Sequence, residues 1–107
     1  QELISETIMR EGSGAIEAHA LRARSAGRAT FIDFHLVVPG GMSVVAAHDI
    51  CDRVEKGLKA AIPDVFITIH VEPDSKAEHA GISLRAAEAE AWPAGEREGV
   101  LRSAGKA

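Results

Sequence analysis

The chain has 107 residues, of which 46% are hydrophobic and 26% charged, with a formal net charge of −4. That is enough for one folded domain with a modest core and too little for two. Its basic residues form no run, which removes the electrostatic case for nucleic acid or an anionic membrane surface. A single cysteine, Cys51, excludes a disulfide framework and any Cys-x-x-Cys pair. No apolar run reaches the ~20 residues of a bilayer span, and no secretory signal is present. The chain opens at Gln1, inside what reads as a helix, so a fragment of a longer protein is expected.

Residues 2–11 predict a short helix, because Leu3, Ile4, Ile8 and Met9 lie close to one stripe. Gly12-Ser13-Gly14 ends it. Residues 15–24 predict a strand whose alternation breaks midway. Ile16 and Ala18 share one parity, Leu21 and Ala23 the other, and a bulge near His19 or Ala20 reconciles them. Ser25-Ala26-Gly27-Arg28 has the length of a hairpin turn. Residues 30–38 give the clearest strand, with Ile32, Phe34, Leu36 and Val38 on one face and Phe31, Asp33, His35 and Val37 on the other. After Pro39-Gly40-Gly41, Ser43 is a good N-cap, and a helix is expected to run to about Ala61. Ala47, Cys51, Val54, Leu58 and Ala61 form its apolar stripe. The next strand carries Val65, Ile67, Ile69 and Val71 on one face and Thr68, His70 and Glu72 on the other, and Pro73 stops it.

The order αββαβ predicts an α+β two-layer sandwich. Its two-strand hairpin is antiparallel, and a right-handed crossover leaves the last two strands parallel. The expected sheet is three-stranded and mixed, with both helices on one face, over residues 1–74. The other face mixes Phe31, Val37 and Phe66 with polar groups. A half-apolar open face of this kind points to a two-fold homodimer. Residues 75–107 form a tail rich in Ala and Glu. In it, Ser75-Lys76-Ala77-Glu78 reads as a capping box, residues 82–91 favour helix, and Trp92 is an anchor for the tail. The tail is read either as solvated or as a helix docked on a partner subunit.

His35 and His70 share the open face of neighbouring strands, and Glu72 lies two residues beyond His70 on that face. Strands lie about 4.8 Å apart, so these side chains can converge on one ion. Asp33 flanks His35 and is a further ligand, a partner fixing an imidazole, or a solvated charge. Cys51 packs as a small hydrophobe, although its His48-x-x-Cys51 spacing allows joint ligation. His79 is a bystander. No Gly-x-Ser-x-Gly elbow or phosphate-cradling loop is present, so no catalytic activity is expected.

Taken together, Gly14-Ala-Ile-Glu-Ala-His-Ala-Leu-Arg-Ala-Arg24, Gly27, Phe31-Ile-Asp-Phe-His35, Ala47-His48 and Ile69-His-Val-Glu-Pro73 resemble the cytoplasmic C-terminal domain of cation diffusion facilitator transporters. The resemblance covers roughly residues 2–74 and implies a ferredoxin-like, metallochaperone-like fold that dimerises below a membrane domain not contained in this chain. It implies a metal-sensing regulatory domain of a divalent cation efflux transporter in a bacterial inner membrane. The metal ligands it implies are His19, His35, His48, His70 and Glu72. Zn²⁺ is the leading ion, and Co²⁺, Ni²⁺, Cd²⁺ or Fe²⁺ also suit imidazole with carboxylate. The alternative is a homodimerisation module of a membrane protein that binds no metal. Many members carry an acidic residue directly after the first histidine, where this chain has Ala20.

Overall fold

The structure is a computed structural model and describes residues 2–84. Helix α1 spans Glu2–Glu11, strand β1 Glu17–Ala26, strand β2 Ala29–Val38, helix α2 Val44–Ala61 and strand β3 Val65–Pro73. A 3₁₀ turn at Asp74–Lys76 leads to a short strand β4 at Ile82–Ser83. The α+β class therefore stands, and the strand count is corrected from three to four. The sheet order is β3-β2-β1-β4. β2 pairs parallel with β3 and antiparallel with β1, and β4 pairs antiparallel with β1. β4 was not legible as a strand because it is two residues long, shorter than any alternation pattern.

The hairpin closes at Gly27-Arg28, between the paired residues Ala26 and Ala29. Gly27 has φ 61, a backbone conformation that tight hairpins use and side chains resist. The expected bulge in β1 is present. The register shifts between His19 and Arg22, and Ala20 adopts φ 56. The extra residue switches parity, so Ala18 before the bulge and Leu21 and Ala23 after it all reach the core side. The same switch keeps Glu17, His19, Arg22 and Arg24 on the open face.

The core lies between the sheet and the helices. Ile4 and Ile8 from α1, Ile50, Val54 and Leu58 from α2, and Ile32, Phe34, Leu36 and Val38 from β2 are buried together. Ser43 caps α2 by accepting a hydrogen bond from the Ala46 N–H at 3.0 Å. Ile50 belongs to the buried face of α2 although the expected stripe omitted it, because that face is wider than a single row. Cys51 is partly buried against the core, as expected of a small hydrophobe. α1 and α2 close on each other at Gly57, where a side chain would come 3.0 Å from Thr7 Cγ2.

The expected capping box at residues 75–78 does not start a helix. After the single turn at Asp74–Lys76 the chain bends at His79 and Gly81 and then pairs antiparallel with the edge of β1. The Leu84 N–H donates to the Ile16 carbonyl at 2.9 Å, and the Leu84 side chain is 1% exposed within the core cluster. Burial of Leu84 and pairing with β1 outweigh the weak local helix preference of Ser75–Glu78. Of the helix expected over 82–91, Ile82–Ser83 is strand instead. Residues 85–91, Trp92 and the rest of the tail lie outside the described residues.

Candidate metal centre

Strand register turns the open face into rows. His19 stands opposite His35, and His35 opposite His70, so three imidazoles form one row across β1, β2 and β3. In the next row Val37 is flanked by Glu17 and Glu72. Successive rings in the histidine row are 5.3 and 4.9 Å apart between centroids. The β1 bulge creates this register: it takes up one residue, so the pairing that sets Arg22 beside Asp33 also sets His19 beside His35.

Glu72 binds the row together. Its Oε2 is 2.7 Å from His35 Nδ1, and its Oε1 is 3.5 Å from His19 Nε2. His19, His35 and Glu72 each offer a ligand atom, all within 4.8 Å of one another. Two imidazole nitrogens and a carboxylate oxygen form a donor set that suits zinc and similar divalent ions, so the residues present fit a metal.

His19 is 5% exposed and Glu17 is 5% exposed. Glu17 Oε2 lies 2.7 Å from His19 Nδ1 and also accepts from the Glu78 N–H at 2.8 Å, while its Oε1 accepts from the His79 N–H at 3.1 Å. Burial alone would push the Glu17 carboxyl up. The Glu78 N–H, the His19 ring, the His79 N–H and the charge of His19 together outweigh it, and hold the carboxyl below its ordinary value. An ionised carboxylate only accepts, so Nδ1 of His19 carries a proton toward Glu17, and Nε2 faces Glu72.

The five ligands implied by the resemblance are not all brought together. His19, His35 and Glu72 converge. His70 is exposed and stacks beside His35 at the outer end of the row. His48 lies on α2, in the helical layer on the other side of the sheet, with Nε2 3.3 Å from Asp52 Oδ2 and 70% of its side chain exposed. Asp33 is held by Arg22, whose Nε and Nη2 each donate at 3.1 Å. Those hydrogen bonds keep its carboxyl below the ordinary range against the pull of partial desolvation, with smaller help from the charges of Arg22, His70 and His35. Asp33 makes no hydrogen bond to a histidine among the described residues. Burial, Glu55 and Asp52 push the Cys51 thiol upward, and Cys51 faces the core, not the row. His79 enters the site through its backbone, whose N–H donates to Glu17. Glu17 is the residue that sequence reasoning missed. Its signal was available: Glu17-x-His19 repeats, in reverse order, the His70-x-Glu72 spacing that places two side chains on one strand face.

A family model described as the cytoplasmic domain of cation efflux proteins matches residues 1–74. The cation-efflux pump FieF of Shewanella oneidensis is 39% identical over 66 residues, covering 62% of this chain and 22% of the pump. The chain spans about a fifth of the length of the curated relatives it matches. Among solved structures, CzrB in its zinc form superposes with a TM-score of 0.67 at 41% identity, covering 72% of this chain and 88% of that one. The metal-bound C-terminal domain of the CzcD transporter from Thermotoga maritima gives 0.65 at 31% identity, covering 72% and 90%. With 74 residues matched by the family model, the chain belongs to the cation efflux, or cation diffusion facilitator, family and carries its cytoplasmic domain.

Proposed function

We propose that this domain senses a divalent cation, with Zn²⁺ the best fit, and regulates a cation efflux transporter of a bacterial inner membrane as a homodimer. The observation that carries the reading is the convergence of His19, His35 and Glu72 ligand atoms within 4.8 Å on one sheet face. His70 extends this set at its outer edge. His48 lies across the sheet from the cluster in its own subunit, so its place in the ligand set is met by the second copy. A site built from both subunits links metal occupancy to dimer shape, and the link is as strong as the difference in affinity between the two shapes. The role is regulatory and not catalytic.

Exposed apolar groups supply a surface for the second copy. Phe66 is 58% exposed and stacks on Phe31 at 5.2 Å, and Arg24 lies over Phe31 at 4.5 Å. Val44 and Val45, at 85% and 71% exposure, lie one helical turn before His48 at the start of α2. A competing reading, dimerisation without metal, draws on the His35–Glu72 hydrogen bond, which satisfies both groups with no ion. The double variant His35→Ala with Glu72→Ala separates the two readings. Calorimetric titration with Zn²⁺ is expected to show at least a hundredfold loss of affinity. Unchanged affinity sinks the metal reading and leaves the dimerisation module.

A further inference from the structure

The chain does not stop at the edge of the family domain. The family model ends at residue 74, yet residues 77–84 run back along the edge of β1, beside the His19 end of the histidine row. Four independent contacts hold them there. The N–H groups of Glu78 and His79 donate to the buried Glu17 carboxylate. Ser83 and Ile82 pair with Glu17 and Ala18. Leu84 is 1% exposed in the core and packs at Gly12, where a Cβ would come 3.1 Å from Leu84 Cδ1. Gly81 adopts φ +78 and lies so close to β1 that a Cβ there would strike the Ala18 carbonyl oxygen and stand 3.1 Å from His19 Cα. His79 also sits at φ 55, a conformation that side chains disfavour and that persists only where the surroundings impose it.

This path delivers a carboxylate to the site. Glu78 Oε2 is 3.8 Å from His19 Nε2, the nitrogen that also faces Glu72. Ligand oxygens and nitrogens lie about 2.0–2.2 Å from zinc, so pairs of ligand atoms round one ion stand roughly 3–4 Å apart. The separations of His19 Nε2 from Glu72 Oε1 and from Glu78 Oε2, 3.5 and 3.8 Å, both fall in that range. The Glu78 side chain is 63% exposed and free to swing the remaining distance, while its backbone is fixed by Glu17.

We propose that residues 77–84 are a strap that completes the metal centre, with the Glu78 carboxylate as a ligand beside His19, His35 and Glu72. The inference rests on the metal-binding reading above. It makes the strap metal-responsive: the ion draws Glu78 inward, and the docked strap keeps Glu17 paired and His19 Nε2 presented. A segment outside the family domain is then tied to the state of the site within it.

The test uses the whole 107-residue chain and Zn²⁺ as the probe. Glu78→Gln removes the anionic ligand at an exposed position and leaves the fold intact. Calorimetry is expected to show at least a tenfold loss of zinc affinity. Hydrogen exchange adds a readout independent of affinity: saturating zinc slows exchange of the Glu78 and His79 amides in the parent chain, and does so at least tenfold less in Glu78→Gln. Gly81→Val, checked for native circular dichroism, lifts the strap by another route and is expected to weaken zinc comparably. A parent chain that binds zinc, with Glu78→Gln binding within twofold and equally protected, overturns the strap ligand and leaves the metal site standing. A parent chain that binds no zinc overturns both readings.

Discussion

Glu17 is the most informative single position to perturb. Its carboxylate accepts three hydrogen bonds, from His19 Nδ1 and from the Glu78 and His79 N–H groups, at 2.7, 2.8 and 3.1 Å. Glu17→Gln keeps the shape and changes the chemistry. A hydrogen bond to an ionised acceptor contributes about 1 kcal/mol more than one to a neutral acceptor. The amide also turns an NH₂ donor toward one of three groups that are themselves donors. Relief of the buried charge offsets part of this loss. The net expectation is a destabilisation of about 2–3 kcal/mol, which for a domain of this size lowers the melting temperature by roughly 10 °C. Thermal unfolding followed by circular dichroism at pH 7, with chelator present, measures it. The pH dependence gives a second check. Glu17 has its carboxyl held down in the folded state, so its ionisation contributes stability above the unfolded value of about 4.3 and loses it as pH falls through the lower folded value. The gap between the parent and Glu17→Gln must therefore narrow below pH ~4.3. A melting shift under 2 °C at pH 7, or a gap that widens in acid, refutes the assigned role of Glu17.

Imidazole ligates only when neutral, so zinc affinity measured by titration is expected to be at least tenfold weaker at pH 5.5 than at pH 7.5; equal affinities count against histidine ligation. Asp33 is held by Arg22 and away from the cluster, so Asp33→Asn is expected to bind zinc within twofold of the parent, and a large loss makes Asp33 a ligand after all. Burial and two nearby acids push the Cys51 thiol upward; its alkylation by iodoacetamide at pH 8 should be slower than that of free cysteine, and faster labelling contradicts the placement. Leu58 is fully buried between α2 and the sheet, and Leu58→Ala is expected to cost about 2–5 kcal/mol in urea denaturation.

Most of the fold was legible because its elements are long and periodic. The alternation of residues 30–38 and 65–72 assigned β2 and β3 and both of their faces, and the helix boundaries at Ser43 and Gly12 followed from cap and breaker chemistry. The broken parity between Ala18 and Leu21 even placed the bulge. What escaped were features set by tertiary contact. β4 exists because Leu84 finds a core site and β1 offers a free edge, and neither fact is written in residues 74–84. His70 and Glu72 read as the centre of a cluster with His35, and the bulge register adds His19 beside His35, so that ligand-type atoms of His19, His35 and Glu72 converge. Glu17 was not singled out in the sequence, because its role rests on burial and on the contacts with His19, Glu78 and His79 that the fold brings to it. His48 was named by resemblance alone, and its own subunit leaves it beside Asp52 on the helical layer.

Metal sensing by this domain requires one divalent ion held where β1, β2 and β3 run side by side on the open face. Anomalous diffraction from zinc-grown crystals of this chain locates that ion. The expected result is an anomalous peak ligated by His19 Nε2, His35 and Glu72. Peaks confined to the His48–Asp52 pair or to exposed carboxylates, with the histidine row still closed by its own hydrogen bonds, would contradict it.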